Sequence, residues 1–561
     1  MKNNAKFQKA AAITAFIAVA LVLIILIICP LVSILSKSFI TDGKLDWSNL
    51  VSLFSDSGYL ETIGNSLLLG LSVTVISTVI SLPLAFLFSR TKLAKLKWMD
   101  IIFMIPFMTP PYISAMGWTK FLAKRGYLQQ IIPAITNSQN FLYSFWGLSF
   151  IMALHVFPFM YTMMKNALLN VPSALDEAAA VSGGSFFYRL RRVYAPLLLG
   201  NYAIAAILVF IKTLSEYGTP AVIGNKIGFY VFTTSIHNYT SISPVNFGMA
   251  AMLSVVLTLL CFILWLAQNH LTNKKTYKVV SGKGVRVNYI KMPWYVTVLA
   301  WIYIAAVLIT AIGVPYFSVI ATSLLEKVSR GLSLDNLTFA NYAELFSSGS
   351  QGLEAISISL ELALLSATIA SVLGIIICTL SRNKKRKYNK VLEATGMLPE
   401  MLPSIVLVLG IMLFWNSLYN VIKVYNTLTI MVLAYTALFL PYSIQYITSA
   451  FTQFSDNLPL AGRITGGSKP YVFMRITLPL IAKGIITGWM MIFIISFREL
   501  VAASMLEPTN TYVISTYIWR QFEQGSSQLG MCMAVICLII TVVVLIVVRL
   551  LTEREKKSRR K

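Results

Sequence analysis

Four ionisable side chains stand in or beside long apolar runs: Lys212 and Glu216, then Arg498 and Glu499. A charge in that setting is costly, so it faces a water-lined cavity or takes a partner. Lys212 and Glu216 are four residues apart and can meet on one helix face. A structural ion pair and a contact with a passing solute are therefore both open. Other chemistries lack their residues. The five cysteines, Cys29, Cys261, Cys378, Cys532 and Cys537, fall inside apolar runs without metal-ligand spacing and read as small buried hydrophobes. His155, His237 and His270 are scattered. No metal set and no nucleophile–base constellation is expected, so no catalytic residue is assigned. A phosphate-cradling GxxxxGK[ST] loop is absent from the sequence: Gly466-Gly467-Ser468-Lys469 only echoes one, and Pro470 follows. Any ATP used must be hydrolysed by another chain.

The elements that position these residues are set by composition. Of 561 residues, 57% are hydrophobic and 12% charged, the signature of an all-α polytopic membrane protein. A span takes about 20 apolar residues. Twelve stretches fit, near 10–35, 63–89, 100–122, 143–166, 197–222 and 245–268, then 295–323, 356–381, 395–418, 427–451, 480–504 and 530–551. The formal charge of +25 invites a nucleic-acid reading, but 34 of the 46 lysines and arginines gather in seven short segments between apolar runs. Such loops stay in the cytoplasm, which places both termini and the polar stretch 271–293 there. Lys2, Lys6 and Lys9 ahead of an apolar stretch mimic a signal peptide. That stretch is long enough to span and no small-residue cleavage site follows Cys29-Pro30, so it reads as the first span. A charged tail after Leu551 is solvated or held at the anionic lipid surface.

The chain repeats itself. In the loop 170–196, Glu177, Ala178, Gly183, Gly184, Leu190, Val193 and Pro196 lie over Leu460, Ala461, Gly466, Gly467, Phe473, Ile476 and Pro479 of the loop 454–479, each 283 residues on. Ser173 and its counterpart Asp456 suit a helix N-cap, and Asp176 gives a near capping box. A short helix then runs through Glu177 to Val181 and stops at Gly183-Gly184, where positive φ costs least. Beyond the glycines, Phe186, Leu190, Val193 and Leu197 recur at helical spacing, with Arg189, Arg191 and Arg192 pointing elsewhere. The product is a docking knob, apolar on one face and basic on another. One copy alone reads equally well as an ordinary amphipathic loop helix; two copies in matched positions favour docking.

The repeat extends further. Pro106 and Pro110 match Pro399 and Pro403 at an offset of 293, while Pro158 and Glu216 match Pro441 and Glu499 at 283. Paired prolines remove backbone donors and break or kink the third and ninth spans, which either line a pathway or are packing kinks. Six spans per copy is an even number, so the copies are direct repeats about an axis along the membrane normal. Glu216 and Glu499 then come to flank one central path.

With these residues the chain resembles the inner-membrane permeases of bacterial ATP-binding-cassette importers, whose signature loop runs EAA, three residues, Gly, then an apolar helix ending in Leu-Pro. The stretch SFRELVAASML from Ser496 and its partner SEYGTPAVIG from Ser215 are similar to segments of fused ferric-iron permeases. The resemblance covers about residues 10 to 550. It implies two fused halves, 1–270 and 294–561, joined by a cytoplasmic linker at 271–293. It implies coupling loops carried by Glu177, Ala178, Gly183, Gly184, Arg191 and Pro196, and by Ala461, Gly466, Gly467, Arg475 and Pro479. A pathway or gate then involves Pro106, Pro110, Lys212, Glu216, Pro399, Pro403, Arg498 and Glu499. The implied partners are two copies of a cytoplasmic ATPase subunit that carry Mg-ATP, an extracytoplasmic solute-binding protein and the lipid bilayer. Neither nucleic acid nor a cofactor bound by this chain is implied, and the location is the bacterial cytoplasmic membrane. Ferric iron is the first cargo implied; 2-aminoethylphosphonate, thiamine and polyamines are the alternatives. Two positions depart from the pattern: Leu460 replaces the signature glutamate, and Val501 stands where the iron type has proline. The rival class is an ion-coupled secondary transporter, which would not need two Gly-centred knobs.

Overall fold

A computed structural model of the chain describes residues 2–41, 43–274, 289–382, 389–455 and 457–558. Most of the linker (275–288), the proposed cap Asp456 and the basic stretch 383–388 lie outside the described residues. Among the described residues the secondary structure is helical, apart from two isolated bridges and one hairpin, in which Ile40–Thr41 pairs with Lys44–Leu45. Among the described residues, ten helices are long and apolar enough to span a bilayer, or twelve when each of two sharply bent pairs counts as one span. Their outward faces leave large apolar side chains uncovered: Val79 is 65% exposed, Leu299 63% and Ile302 59%. Water would not tolerate so continuous an apolar surface, and lipid requires it.

The helices gather into two compact units. In one, Ser57–Arg90 packs along Phe145–Leu169 and Ala195–Leu214. In the other, Gln351–Ser381 packs the same way along Leu428–Phe451 and Leu478–Phe497. Small residues and hydroxyls make these approaches possible, as lipid offers no hydrophobic drive between helices. Ser81 donates across to the Phe157 carbonyl at 2.9 Å, and a Cβ on Gly374 would collide with the Ser443 side chain.

Each unit takes segments from the other half of the sequence. Residues 1–50 and 239–255 belong with 339–561, whereas 256–338 belong with 51–238. The first span, Ile13–Phe39, crosses Ser404–Ser417, and a Cβ on Gly410 would lie 2.6 Å from the Pro30 carbonyl oxygen. The seventh, Trp294–Leu324, crosses Pro111–Leu122, and a Cβ on Gly117 would lie 2.7 Å from the Pro315 carbonyl oxygen. Gly117 and Gly410 are themselves repeat partners, 293 residues apart. The same backbone-to-backbone crossing is thus built twice, with exchanged helices.

Four prolines inside spans share one local solution. Before Pro30, Pro196, Pro315 and Pro479 the helix widens for one π turn: Ile24–Ile28, Leu190–Tyr194, Ile309–Gly313 and Phe473–Thr477. A proline cannot donate to the carbonyl four residues back, and its ring crowds that oxygen. Here the residue before each proline donates five residues back, as Ala195 does to the Leu190 carbonyl and Leu478 to that of Phe473. The spans therefore run through their prolines.

Candidate functional site

The first loop begins at Pro172, whose φ of −60° and ψ of 131° make it the helix N-cap. Ser173 is the first helical residue, and no side chain caps this end. The cap expected at Ser173 is therefore displaced by one residue, because the ring of Pro172 already fixes the turn into the helix. Asp176 does not complete a capping box either. Its two oxygens each accept from Arg189 Nη1 at 3.1 Å. The helix Ser173–Val181 ends where Gly183 turns to φ +80°, and Gly184 donates to the Ala179 carbonyl at 2.9 Å. Ala178 uses its carbonyl oxygen for the Ser182 amide at 3.0 Å and the Ser182 hydroxyl at 2.9 Å. Ser185 then caps the next helix, accepting from the Tyr188 amide at 3.3 Å. That helix runs on through the π turn and Pro196 into the fifth span, Phe186–Leu214. Loop and span are one rigid piece from residue 186 onward.

The second loop repeats this frame with other side chains. Its short helix, Asn457–Ile464, ends at Gly466, φ +93°, and Gly467 donates to the Gly462 carbonyl at 3.0 Å. Ala461 accepts from the Thr465 amide at 3.0 Å, and Ser468 caps Tyr471 at 3.4 Å. The span Lys469–Phe497 follows, through Pro479. Where the first loop has Asp176 and Arg189, the second has Pro459 and Val472, and Val472 packs on Gly462 and Gly467. Glu177 is exposed on its helix, and Leu460, its counterpart, is 56% exposed. Arg475 lies over Arg192 rather than Arg191, whose counterpart is Met474. Arg191, Arg192 and Arg475 are all exposed.

The proline pairs break their helices outright. Met99–Met108 and the helices from Pro111 on meet at 91°, and Lys390–Met401 and Ser404–Ser417 at 111°. In each pair the second proline, Pro110 or Pro403, is the N-cap of the following helix. The lost amide of Pro110 frees the Pro106 carbonyl, and His155 Nδ1 takes it at 2.9 Å. Pro399 lies in a 3₁₀ turn instead, and its carbonyl accepts from Leu402. The matched carboxylates also behave alike. Glu216 accepts from the Thr219 amide at 3.0 and 3.2 Å, and Glu499 from the Ala502 amide at 2.7 Å. Both are half-buried and feed the open amides at the start of the next turn. Their own backbone carbonyls accept from Thr233 at 2.8 Å and Ser515 at 2.5 Å. The Lys212 ammonium lies 6.0 Å from the centre of the Phe159 ring. The Thr219 amide thus holds the Glu216 carboxylate at the start of the next turn. Arg498 is half-buried at the C-cap of its span.

Two features escaped the sequence reading. Val181 and Ile464, again 283 apart, stand at the tips of the two loops, 89% and 86% exposed. The matched spacing was their available signal. At the root of the first loop, the fully buried Arg90 donates to the carbonyls of Leu168 and Val171. Its counterpart Arg382 instead stacks on Phe451 and Phe454, 4.7 and 4.8 Å from the ring centres. Only the offset of 292 residues would have paired these arginines.

Residues 65–277 and 370–557 each match the family model described as binding-protein-dependent transport system inner membrane component. The chain is also similar, at 24% identity over 534 residues, to the ferric transport system permease protein FbpB of Actinobacillus pleuropneumoniae, covering 94% of this chain and 76% of that protein. The Fe(3+)-transport system permease protein FbpB 2 of Haemophilus influenzae is 24% identical over 505 residues, covering 89% of this chain and 91% of that one.

Proposed function

The chain belongs to the family of inner-membrane components of binding-protein-dependent transport systems, and from that premise we propose that it carries ferric iron into the cytoplasm. As a family member it is a multi-pass permease that works with a separate ATPase and a solute-binding protein. In our reading, two ATPase copies dock on its two loops, both termini lie in the cytoplasm, and Mg-ATP is held by the ATPases alone. The observation that carries the coupling role is the identical frame of the two loops, with glycines at φ +80° and +93° and an exposed apolar tip on each. Beyond each glycine turn the helix continues without interruption into a span, and the Asp176–Arg189 pair in the first loop and the packing of Val472 in the second join the tip helix to it. Glu177, Ala178, Gly183, Gly184, Arg191 and Pro196 form one docking element, and Ala461, Gly466, Gly467, Arg475 and Pro479 the other. The Glu177 loop is the stronger, since leucine at 460 offers packing alone.

Glu216, Glu499, Lys212 and Arg498 serve the cargo path, together with the helices broken at Pro110 and Pro403 and the segments before those breaks that hold Pro106 and Pro399. The two ferric relatives, matched along 76% and 91% of their own length, favour iron over aminophosphonate, thiamine or polyamine. The test is uptake of radioactive ferric iron by proteoliposomes holding the permease, its ATPase and the co-purifying binding protein. ATP-dependent iron uptake that drops at least tenfold in the Glu216→Gln, Glu499→Gln double variant supports the reading. Uptake of another solute with none of iron overturns the cargo.

A further inference from the structure

On the unit that carries the first loop, an apolar groove of about 800 Å³ runs between the second span, the helix leaving the loop, and the seventh span. Its wall is built by Phe86, Leu190, Tyr194, Leu299, Ala300 and Tyr303. Three hydroxyls on its wall are engaged. Tyr303 donates to the Ile80 carbonyl at 2.8 Å, and Thr78 and Tyr202 meet each other at 3.3 Å. Along the second span the wall runs from Thr78 to Leu87, about 14 Å at 1.5 Å per residue. That matches the hydrocarbon depth of one leaflet, about 15 Å.

The end of the groove nearest the loop is flanked by lysines. Lys92 and Lys95 follow the last wall residue of the second span, Lys291 precedes the seventh span, and all three are exposed, with the Lys95 ammonium 6.0 Å from the centre of the Tyr289 ring. The chain at Ile290 is tied to this rim by its amide, which donates to the Arg90 carbonyl at 2.8 Å. Asp100 and Asp176 in the same stretches are engaged by Lys165 and Arg189, and Glu177 sits out on the loop helix. Trp294, 79% exposed, and Tyr295, 55% exposed, open the seventh span beside Lys291, as aromatic residues do at a membrane interface.

We infer that this groove binds one anionic phospholipid, an acyl chain against Leu190, Leu299 and Tyr303 and the phosphate between Lys95 and Lys291. A neutral lipid would fill the apolar wall equally well; the cationic rim selects the charge. Because Phe186, Leu190 and Tyr194 belong to the helix that leaves the first loop, the lipid braces that helix against the second and seventh spans. The bracing role rests on the coupling reading, whereas lipid binding itself does not.

The test is native mass spectrometry of the assembled transporter, released from nanodiscs of equal phosphatidylglycerol and phosphatidylcholine. The wild type retains one phosphatidylglycerol in preference to phosphatidylcholine. Lys95→Gln with Lys291→Gln lowers that preference by about fivefold per cation removed. Ala300→Trp, which fills the groove, abolishes retention while the ATPase still co-purifies. If Ala300→Trp fails to assemble, the lysine pair still decides. Equal retention of both lipids by the wild type, or an unchanged preference in the lysine variant, overturns the proposal. Unchanged ATP-dependent transport in a variant that no longer retains the lipid would count against the bracing role and leave the lipid site standing.

Discussion

Arg189 closes on Asp176 across the Gly183 turn, one guanidinium nitrogen 3.1 Å from both carboxylate oxygens. The pair ties the short helix of the first loop to the helix that enters the membrane. At the corresponding positions of the second loop, Pro459 and Val472 leave that work to apolar packing. The two loops share a backbone and differ in the kind of force that holds it.

That difference is measurable. Asp176→Asn and Arg189→Gln each loosen the first loop, and the double variant costs less than their sum. With both side chains only 14–17% exposed, a coupling energy of about 1 kcal/mol is expected, at the upper end for ion pairs open to solvent. Hydrogen exchange of residues 173–181 in single and double variants gives the number, and strictly additive effects would rule the tie out. Raising salt should speed exchange in the first loop and leave the second unchanged.

The adjacent glycines fail for different reasons. Gly183 has open space around its absent side chain and needs only its φ of +80°. Gly183→Asn is therefore tolerated, and Gly183→Ala costs about 1 kcal/mol. A Cβ on Gly184 would lie 2.6 Å from the Ala179 carbonyl oxygen, a backbone atom that cannot swing away. Gly184→Ala should reduce co-purified ATPase more than Gly183→Ala does, and the reverse order would contradict the geometry. Gly183→Asp should also release more ATPase than Gly466→Asp.

His155 is expected to act as a backbone substitute. His155→Leu strands the Pro106 carbonyl and costs about 1–3 kcal/mol, whereas His155→Gln retains a donor and recovers much of it. Thermal unfolding of the purified transporter separates the two. Equal melting points for the Leu and Gln variants would remove the bond from the account.

Gly410→Ala presses on the Pro30 backbone and Gly117→Ala on that of Pro315, each at about 1–3 kcal/mol. Cys29 is half-buried while Cys261, Cys378, Cys532 and Cys537 are buried, so maleimide labelling reports the first crossing selectively. Gly410→Ala should speed labelling of Cys29; Gly117→Ala should not.

Glycines, prolines and periodicity make much of this legible in the sequence. Gly183 and Gly466 are where helices must stop, and Pro110 and Pro403 are where they break, because those residues restrict the backbone regardless of surroundings. Ser173 misled, as a good capping side chain lost to the ring constraint of Pro172. Helical spacing brings Lys212 within reach of Glu216, and spacing alone cannot reveal that the Thr219 amide also donates to that carboxylate. The exchanged spans were beyond reading, since hydropathy identifies a helix without naming its neighbour. Gly117 and Gly410 carried that information only as a matched pair of small residues.

The exchange of spans sets a timetable for biogenesis. Pro30 leaves the ribosome 380 residues ahead of Gly410 (410 − 30), its packing partner. At roughly 5–20 residues per second, the first span waits about 20–80 seconds in the bilayer with that face uncovered. Pro315 follows Gly117 by only 198 residues (315 − 117), so the unit built around the second span can close first. The earliest helix made is among the last to be docked, and a chain cut short after the sixth span would leave both exchanged contacts unmade.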